Sequence, residues 1–277
     1  MEKSKSPKFD IIFVGLAKDC NSFLNFFFKH IKKISDKYKV KLVLGENQSV
    51  DYTFDTIFKN KYSIDIDFVD TTFIEKFSNR ILRLGKARQA IKNYIKDKNI
   101  SAKYLVVIDL DDVLKNKNIS DLVYKMIFLL EKNKKNYFCV AAKSDPYYYD
   151  ILNFDSDEFP NNNVLNLMED KSIFSYNQRL AKIYKLQKIL TQKKSFDANS
   201  AFNGICIYFF KDYIAADYII NDKSKVIPEH LNFNLQIRKK TNKKILVSND
   251  VILNMPNEHA PLFNIYAFVK AKIKKYI

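Results

Sequence analysis

The sequence predicts an α/β protein with a mostly parallel central sheet covered by helices on both faces. Three observations carry that prediction. Short β-branched apolar runs alternate with longer amphipathic stretches over the first 145 residues, the pattern of β–α–β units with strands buried on both sides. No internal repeat and no Pro/Gly/Ser-rich linker divides the chain. A length of 277 residues with 47% hydrophobic content suits one sizeable domain, or one domain with a small appendage.

The elements follow in order. FDIIFVGL (9–16) reads as a strand ending at Gly15, and CNSFLNFFFKHIKKI (20–34) as a helix capped by Asn21 or Ser22. KVKLVLG (39–45) is a second strand, DYTFDTIFKN (51–60) a short helix and IDIDFV (64–69) an alternating third strand. A long helix over SNRILRLGKARQAIKNYIKDK (78–98) leads to a fourth strand, YLVVID (104–109). A helix over ISDLVYKMIFLLEKN (119–133) leads to a fifth, NYFCVAA (136–142).

Beyond residue 145 the alternation loosens. SDPYYYDILNFDSDEFPNNN is aromatic, acidic and rich in turn formers, and it predicts a loop over a site. A helix over about 174–192 follows, then a strand, AFNGICIYFF (201–210). KVIPEHLNFNLQIRKK holds another short element, and KKILVS (243–248) reads as a late strand. In PLFNIYAFVKAKIKKYI (261–277), Leu262, Ile265, Tyr266, Val269, Ile273 and Ile277 share one helical face and lysines take the other, giving a C-terminal basic amphipathic helix.

The formal net charge of +16 admits nucleic acid, an anionic membrane surface or phosphorylated substrates as partners. It is equally the composition of a chain crowded with Lys, Asn and Ile. Cys20, Cys139 and Cys206 are widely spaced inside or beside apolar runs, so buried free thiols in a reducing compartment are expected; without a CxxC pair a cysteine-based zinc site is not. No apolar segment precedes Phe9, and FLNFFFKHI is broken by Asn25 and Lys29. Neither a signal peptide nor a membrane span is therefore expected. The expected location is the cytoplasm, with peripheral attachment to the inner membrane face through the tail helix.

The chemistry concentrates in VVIDLDDVL (106–114). Asp109, Asp111 and Asp112 crowd the end of the fourth strand, where like charges repel. Carboxylates one residue apart at a strand end can share Mg²⁺ or Mn²⁺, which removes the repulsion and holds phosphate oxygens. A helix cap accounts for one aspartate and not for three. The chain has only four glycines, Gly15, Gly45, Gly85 and Gly204, and those at strand ends suit a turn or close ligand approach. In an open α/β sheet, ligands bind outside the carboxyl ends of the strands.

Two families share the acidic signature. Asp109, Asp111 and Val113 resemble the first motif of haloacid-dehalogenase-like phosphatases, which would make Asp109 a nucleophile. That motif normally stands on the first strand, whereas about a hundred residues of α/β pattern precede it here; the glycine usual after the second aspartate is replaced by Asp112. The same residues resemble the DxD of GT-A glycosyltransferases, and more of the chain follows that pattern. VGLAKDC (14–20) lies where a GT-A fold meets its nucleotide. LGENQSVDYTFDTI (44–57) looks like the family-2-like stretch that contacts base and ribose, through Glu46, Asn47 and Ser49, with Asp51 and Thr53 or Thr56 beside them. NRILRLGKARQAIKNYI (79–95), AFNGICIYFF and PEHLNFNLQI (228–237) resemble segments of cell-surface polysaccharide glycosyltransferases, with Pro228 standing where that group has a cysteine.

The resemblance implies a GT-A domain over 8–250, its nucleotide-binding part 8–145 and its acceptor part 146–250, followed by a C-terminal extension, 251–277. It implies a metal-dependent hexosyltransferase moving a sugar from a UDP- or GDP-sugar to a hydroxyl on a glycan or lipid-linked acceptor, with inversion by a carboxylate base. Mn²⁺ or Mg²⁺ would sit on Asp111 and Asp109 with His230 as a further ligand. Gly15, Glu46, Asn47, Ser49, Lys86, Arg88 and Asp109 would bind the nucleotide sugar, and Glu229 would be the catalytic base, with Asp145 as its rival. A basic nucleic-acid-binding protein is the remaining alternative. It lacks a recognisable module, and the acidic cluster would repel a phosphodiester backbone, so nucleic acid is not the expected partner.

Overall fold

The structure, a computed structural model, describes residues 6–116, 118–161, 173–218 and 227–256. Eight strands form one sheet: β1 (Phe9–Ala17), β2 (Val40–Glu46), β3 (Asp65–Asp70), β4 (Ala102–Ile108), β5 (Tyr137–Asp145), β6 (Phe196–Ala198), β7 (Ile205–Phe209) and β8 (Lys244–Asn254). Their order is β3-β2-β1-β4-β7-β5-β8-β6. The helices are α1 (Asn21–Ser35), α2 (Thr53–Asn60), α3 (Arg80–Asp97), α4 (Ile119–Lys132), α5 (Ile173–Gln192), α6 (Phe210–Ile214) and α7 (Glu229–Thr241). β7 runs antiparallel to both β4 and β5, and β6 runs antiparallel to β8; the other pairings are parallel. The mostly parallel sheet expected from the apolar runs is therefore present, with two reversed strands.

Strand alternation divides the core into two layers. Ile11 and Phe13 of β1, Tyr104, Val106 and Ile108 of β4 and Ile205 and Ile207 of β7 pack with Leu24, Phe27, Ile57 and Met126 of α1, α2 and α4. Ile12 and Val14, Leu105 and Val107, and Cys206 and Tyr208 face the opposite layer, with Ile91, Ile95, Ile183, Phe233 and Ile237 of α3, α5 and α7. Burying each such side chain contributes about 1.5–3 kcal/mol. The three cysteines are free and buried.

Several boundaries differ from the sequence reading. The expected strand over 201–210 is shorter, because Asn203 (φ 125°) and Gly204 (φ 85°) turn the backbone before Ile205. Its final residue, Phe210, opens α6. The late strand continues through Asn254, which pairs with Asp145, so the boundary at 250 falls inside β8. The division at 145 is also crossed, since β7 is inserted between β4 and β5. Neither Asn21 nor Ser22 caps α1 through its side chain. Asp51 accepts the Asn21 N–H (3.0 Å) and Thr53 Oγ1 accepts the Cys20 N–H (2.8 Å), so the loop after β2 caps α1 from outside. The expected tail helix over 261–277 lies outside the described residues. No described helix is long and apolar enough to cross a membrane.

Candidate active site

β1 has β2 on one side and β4 on the other, so the strand order reverses there and opens a crevice at the carboxyl ends. Two clefts occupy it. The larger, about 480 Å³, lies among Asp109, Asp111, Arg88, Asp150, Glu229 and His230. The second, about 360 Å³, is lined by Asn47, Thr71, Glu75, Arg83 and Ala87 among others. They share Leu16, Lys18, Arg80 and Leu84.

Strand parity aims the first acid. Asp109 continues the series Leu105, Val107 towards the layer of α3 and α7, whereas Leu110 turns to the opposite layer with Ile108. The Asp109 N–H donates to Gly204 O (2.9 Å), which ties the end of β4 to the start of β7. α3 begins with a side-chain cap, Asn79 Oδ1 accepting the N–H groups of Ile81 (2.9 Å) and Leu82 (3.2 Å). Helical spacing then delivers Arg80, Leu84 and Arg88 to the cleft.

Arg88 is the hub. Its Nη2 lies 3.2 Å from Asp109 Oδ1 and its Nε 3.5 Å from Glu229 Oε1, and its guanidinium stands 5.5 Å from the Phe202 ring centroid. Burial works against the charged guanidinium, but Asp109 and then Glu229 overcome it and hold the pKa above its ordinary value. Burial pushes the Asp109 carboxyl up to about 8; Arg88 opposes the shift, while Asp111 and Asp150 add to it.

Glu229 and His230 are the first two residues of α7, where the helix N-terminus favours a carboxylate. Pro228 occupies the N-cap. Asn153 Oδ1 accepts the Leu231 N–H (3.3 Å), satisfying one amide of the first turn. The His230 ring stacks on Phe202 with centroids 4.0 Å apart. Neither ring nitrogen has a hydrogen-bond partner among the described residues, and burial followed by the Arg88 charge holds the imidazole neutral.

The structure rearranges several expected roles. Gly15 does not line either cleft; a Cβ there would stand 2.9 Å from Ile108 O and 3.0 Å from Leu110 Cγ, so it serves the close packing of β1 under the acidic turn. Glu46 accepts the N–H groups of Gln48 (3.1 Å) and Ser49 (2.7 Å), and Ser49 Oγ accepts the Asp19 N–H (3.1 Å). Both build the clasp between two loops and line neither cleft; Asn47 does reach the second. Lys86 lies over the Phe77 ring, away from the clefts, because it is two residues from Arg88 on a helix and so points to another side. Asp111, not Asp112, caps the turn over Asp112–Lys115, its Oδ1 accepting the Val113 N–H (3.0 Å). Asp145 is exposed at the end of β5 and lines neither cleft.

Asp109, Asp111 and His230 share the larger cleft, but no group of three His, Cys, Asp or Glu side chains is gathered into a metal site among the described residues. Arg88 draws Asp109, the Val113 amide holds Asp111, and Phe202 holds His230. The donor chemistry nevertheless fits a divalent cation. The imidazole of His230, neutral and with both nitrogens lacking a hydrogen-bond partner among the described residues, lines the same cleft as the Asp109 and Asp111 carboxylates, and nitrogen with carboxylate oxygen is a donor set for Mn²⁺.

Glu75 escaped the sequence reading; Lys18, Asp150, Asn153, Phe202, Arg80 and Arg83 lay inside stretches it singled out without being named as site residues. Glu75 is held by Lys18 (2.8 Å), Asn47 Nδ2 (2.6 Å) and Arg83 (3.4 Å), and its pKa is lowered by Lys18 and then Asn47. Their signal was partial: the spacing Arg80–Leu84–Arg88 marks a helix face, and Asp150 lies in the acidic, turn-rich stretch expected to cover a site, but nothing local marks Glu75.

No protein-family model matches the sequence, and no curated protein does. Solved structures do. The crystal structure of Mycobacterium tuberculosis glucosyl-3-phosphoglycerate synthase with Mn²⁺, uridine diphosphate and phosphoglyceric acid aligns at TM-score 0.53 and 10% identity, over 95% of this chain and 74% of that one. A mycobacterial protein aligns at TM-score 0.51 and 12% identity, over 92% and 69%. A crystal structure of Staphylococcus aureus TarS, residues 1–349, aligns at TM-score 0.49 and 10% identity, with 90% of this chain covering 61% of that chain. At such identities the likeness establishes the fold, which is GT-A, the fold of nucleotide-sugar glycosyltransferases. Of the two resemblances drawn from VVIDLDDVL, the architecture matches the GT-A one.

Proposed function

We propose that this protein is a divalent-metal-dependent glycosyltransferase. It transfers a hexose from a UDP- or GDP-sugar to a hydroxyl on a cell-surface glycan or lipid-linked acceptor, with inversion. The observation that carries this reading is the joined pair of clefts at the sheet's switch point, one acid-lined and one apolar with a polar end. The second cleft suits a nucleoside. Asn47 is buried, and its Oδ1 has no hydrogen-bond partner among the described residues, which leaves an acceptor for a base N–H or ribose hydroxyl. Lys18 and Arg80, common to both clefts, stand where the diphosphate would cross.

Asp111, Asp109 and His230 are the residues to hold Mn²⁺ or Mg²⁺, which when bound supplies positive charge to the departing diphosphate. Arg88 fixes Asp109, and Phe202 orients His230. The M. tuberculosis synthase structure that holds UDP with Mn²⁺ supports the same class of donor here.

Thermal shift against UDP, GDP and CMP with and without Mn²⁺ tests the reading. Stabilisation by a nucleoside diphosphate that requires the metal is expected, about 2.7 kcal/mol at one hundred times Kd. Hydrolysis of a generic phosphate ester without such stabilisation points to the phosphatase, and salt-sensitive binding of an oligonucleotide to the nucleic-acid binder.

A further inference from the structure

We propose that Asp150 is the base that takes the proton of the acceptor hydroxyl, leaving Glu229 as the fixed partner of Arg88. The proposal rests on the glycosyltransferase reading.

The two carboxylates stand differently. Glu229 is only 5% exposed and is committed to the Arg88 guanidinium. A carboxylate so closed off and paired is poorly placed to receive an incoming hydroxyl. Asp150 is partly exposed at the cleft wall and has no ion-pair partner among the described residues. Neutral donors hold it instead. Asn153 Nδ2 reaches both carboxylate oxygens (3.0 and 2.9 Å), and Asn203 Oδ1 accepts the Asp150 N–H (3.2 Å). Each carboxylate oxygen has two lone-pair sites, so a single amide group shared between the two oxygens leaves room for a hydroxyl proton.

The placement is indexed to the rest of the site. The same Asn153 that holds Asp150 accepts the Leu231 N–H, one residue after His230. Asn203, which holds the Asp150 backbone, immediately precedes Gly204, whose carbonyl receives the Asp109 N–H. Asp150 is thus tied through two asparagines to both the β4 acids and the start of α7. Asn153 is accordingly a positioning residue. The carboxyl of Asp150 is pushed up to about 6 by burial, against the hydrogen bonds from Asn153 and with repulsion from Glu229, which brings it near the operating range of a general base.

The step balances simply. The acceptor O–H bond breaks and its proton goes to the Asp150 carboxylate. The oxygen forms a bond to the anomeric carbon as the bond to the diphosphate oxygen breaks, and the diphosphate leaves with the electron pair.

The test uses the full chain with Mn²⁺ and four donors: UDP-glucose, UDP-galactose, UDP-N-acetylglucosamine and GDP-mannose. Nucleoside diphosphate release is followed with aryl glycosides or water as acceptor, and UDP and GDP binding by calorimetry. Asp150→Asn should lower kcat by about 10²-fold or more while the diphosphate Kd stays within about threefold. Formate should restore part of the rate to Asp150→Ala and none to Glu229→Ala, a rescue that a merely structural role does not produce. The assignment is overturned if Asp150→Asn keeps kcat within about threefold, if formate rescues the Glu229 variant instead, or if the wild type binds diphosphate yet releases none from any donor. A wild type that neither binds UDP or GDP nor consumes any donor refutes the glycosyltransferase reading itself, and the assignment with it.

Discussion

Replacing Arg88 by methionine removes the cation that bridges Asp109 and Glu229. Methionine keeps much of the side-chain volume, so the loss is chiefly electrostatic. The Arg88 and Glu229 side chains are 8% and 6% exposed, and that of Asp109 26%. Breaking a buried pair by deleting one partner costs about 3–5 kcal/mol, because the remaining charge has no compensation. Here two carboxylates are left, with Asp111 and Asp150 in the same cleft. At about 2–3 °C per kcal/mol for a chain of this size, the melting temperature should fall by about 6–15 °C. Adding Glu229→Gln to Arg88→Met should recover part of the loss, with a coupling of about 0.5–3 kcal/mol between the sites. Mn²⁺ should stabilise Arg88→Met more than the wild type, since a divalent cation restores positive charge to the cleft. Differential scanning calorimetry reads all three. A melting temperature within 1 °C of the wild type, or strictly additive single and double variants, would refute the view of Arg88 as a structural counter-ion.

Other outcomes follow from the same geometry. The rate with a turned-over donor should rise with pH through about 6, because Asp150 must lose its proton to act; Arg88, Asp109, Glu229, Tyr148 and Tyr149 are titratable groups that face it, and Asn153→Ala should move that limb while leaving UDP binding intact. Asp51→Ala should cost about 1 kcal/mol by uncapping α1 yet leave the nucleotide Kd unchanged, an outcome that a ribose-binding role for Asp51 contradicts. Glycine 204 should not accept alanine: φ is 85° and a Cβ would stand 2.5 Å from Tyr149 Oη, so Gly204→Ala should lose about 1–3 kcal/mol in urea unfolding and weaken Mn²⁺–UDP binding by disturbing the Asp109 amide contact.

Much of the fold was legible because the strands are buried on both faces. β1, β2, β4 and β5 announce themselves as apolar runs and β3 as an alternating one, but which layer Asp109 faces is known only from the packing of α3 and α7. Pairing was not legible. β7 looks like any late strand, and only tertiary structure reveals that it separates β4 from β5. β6 has three residues, too few for a periodic signal, and α6 continues an aromatic run that reads as strand. The site divides in the same way. Asp109 and Asp111 stand out because charge at the end of a buried strand needs a reason. Glu46 and Ser49 carry the residue types of a ribose contact but meet backbone amides of neighbouring loops, a competition that short polar side chains commonly win. Lys86 could have been set aside from helical phase alone, since Arg80, Leu84 and Arg88 define the face that turns to the cleft.

The inserted strand also bears on synthesis. When residue 145 leaves the ribosome, β1 to β5 are all present, yet β4 lacks the neighbour that occupies its outer edge in the finished sheet. At about 5–20 residues per second, that edge waits several seconds for Ile205–Phe209. An open apolar edge is a template for intermolecular pairing. The nascent amino-terminal half is thus exposed to intermolecular pairing, and expression of residues 1–145 alone should leave a larger insoluble fraction than expression of all 277 residues.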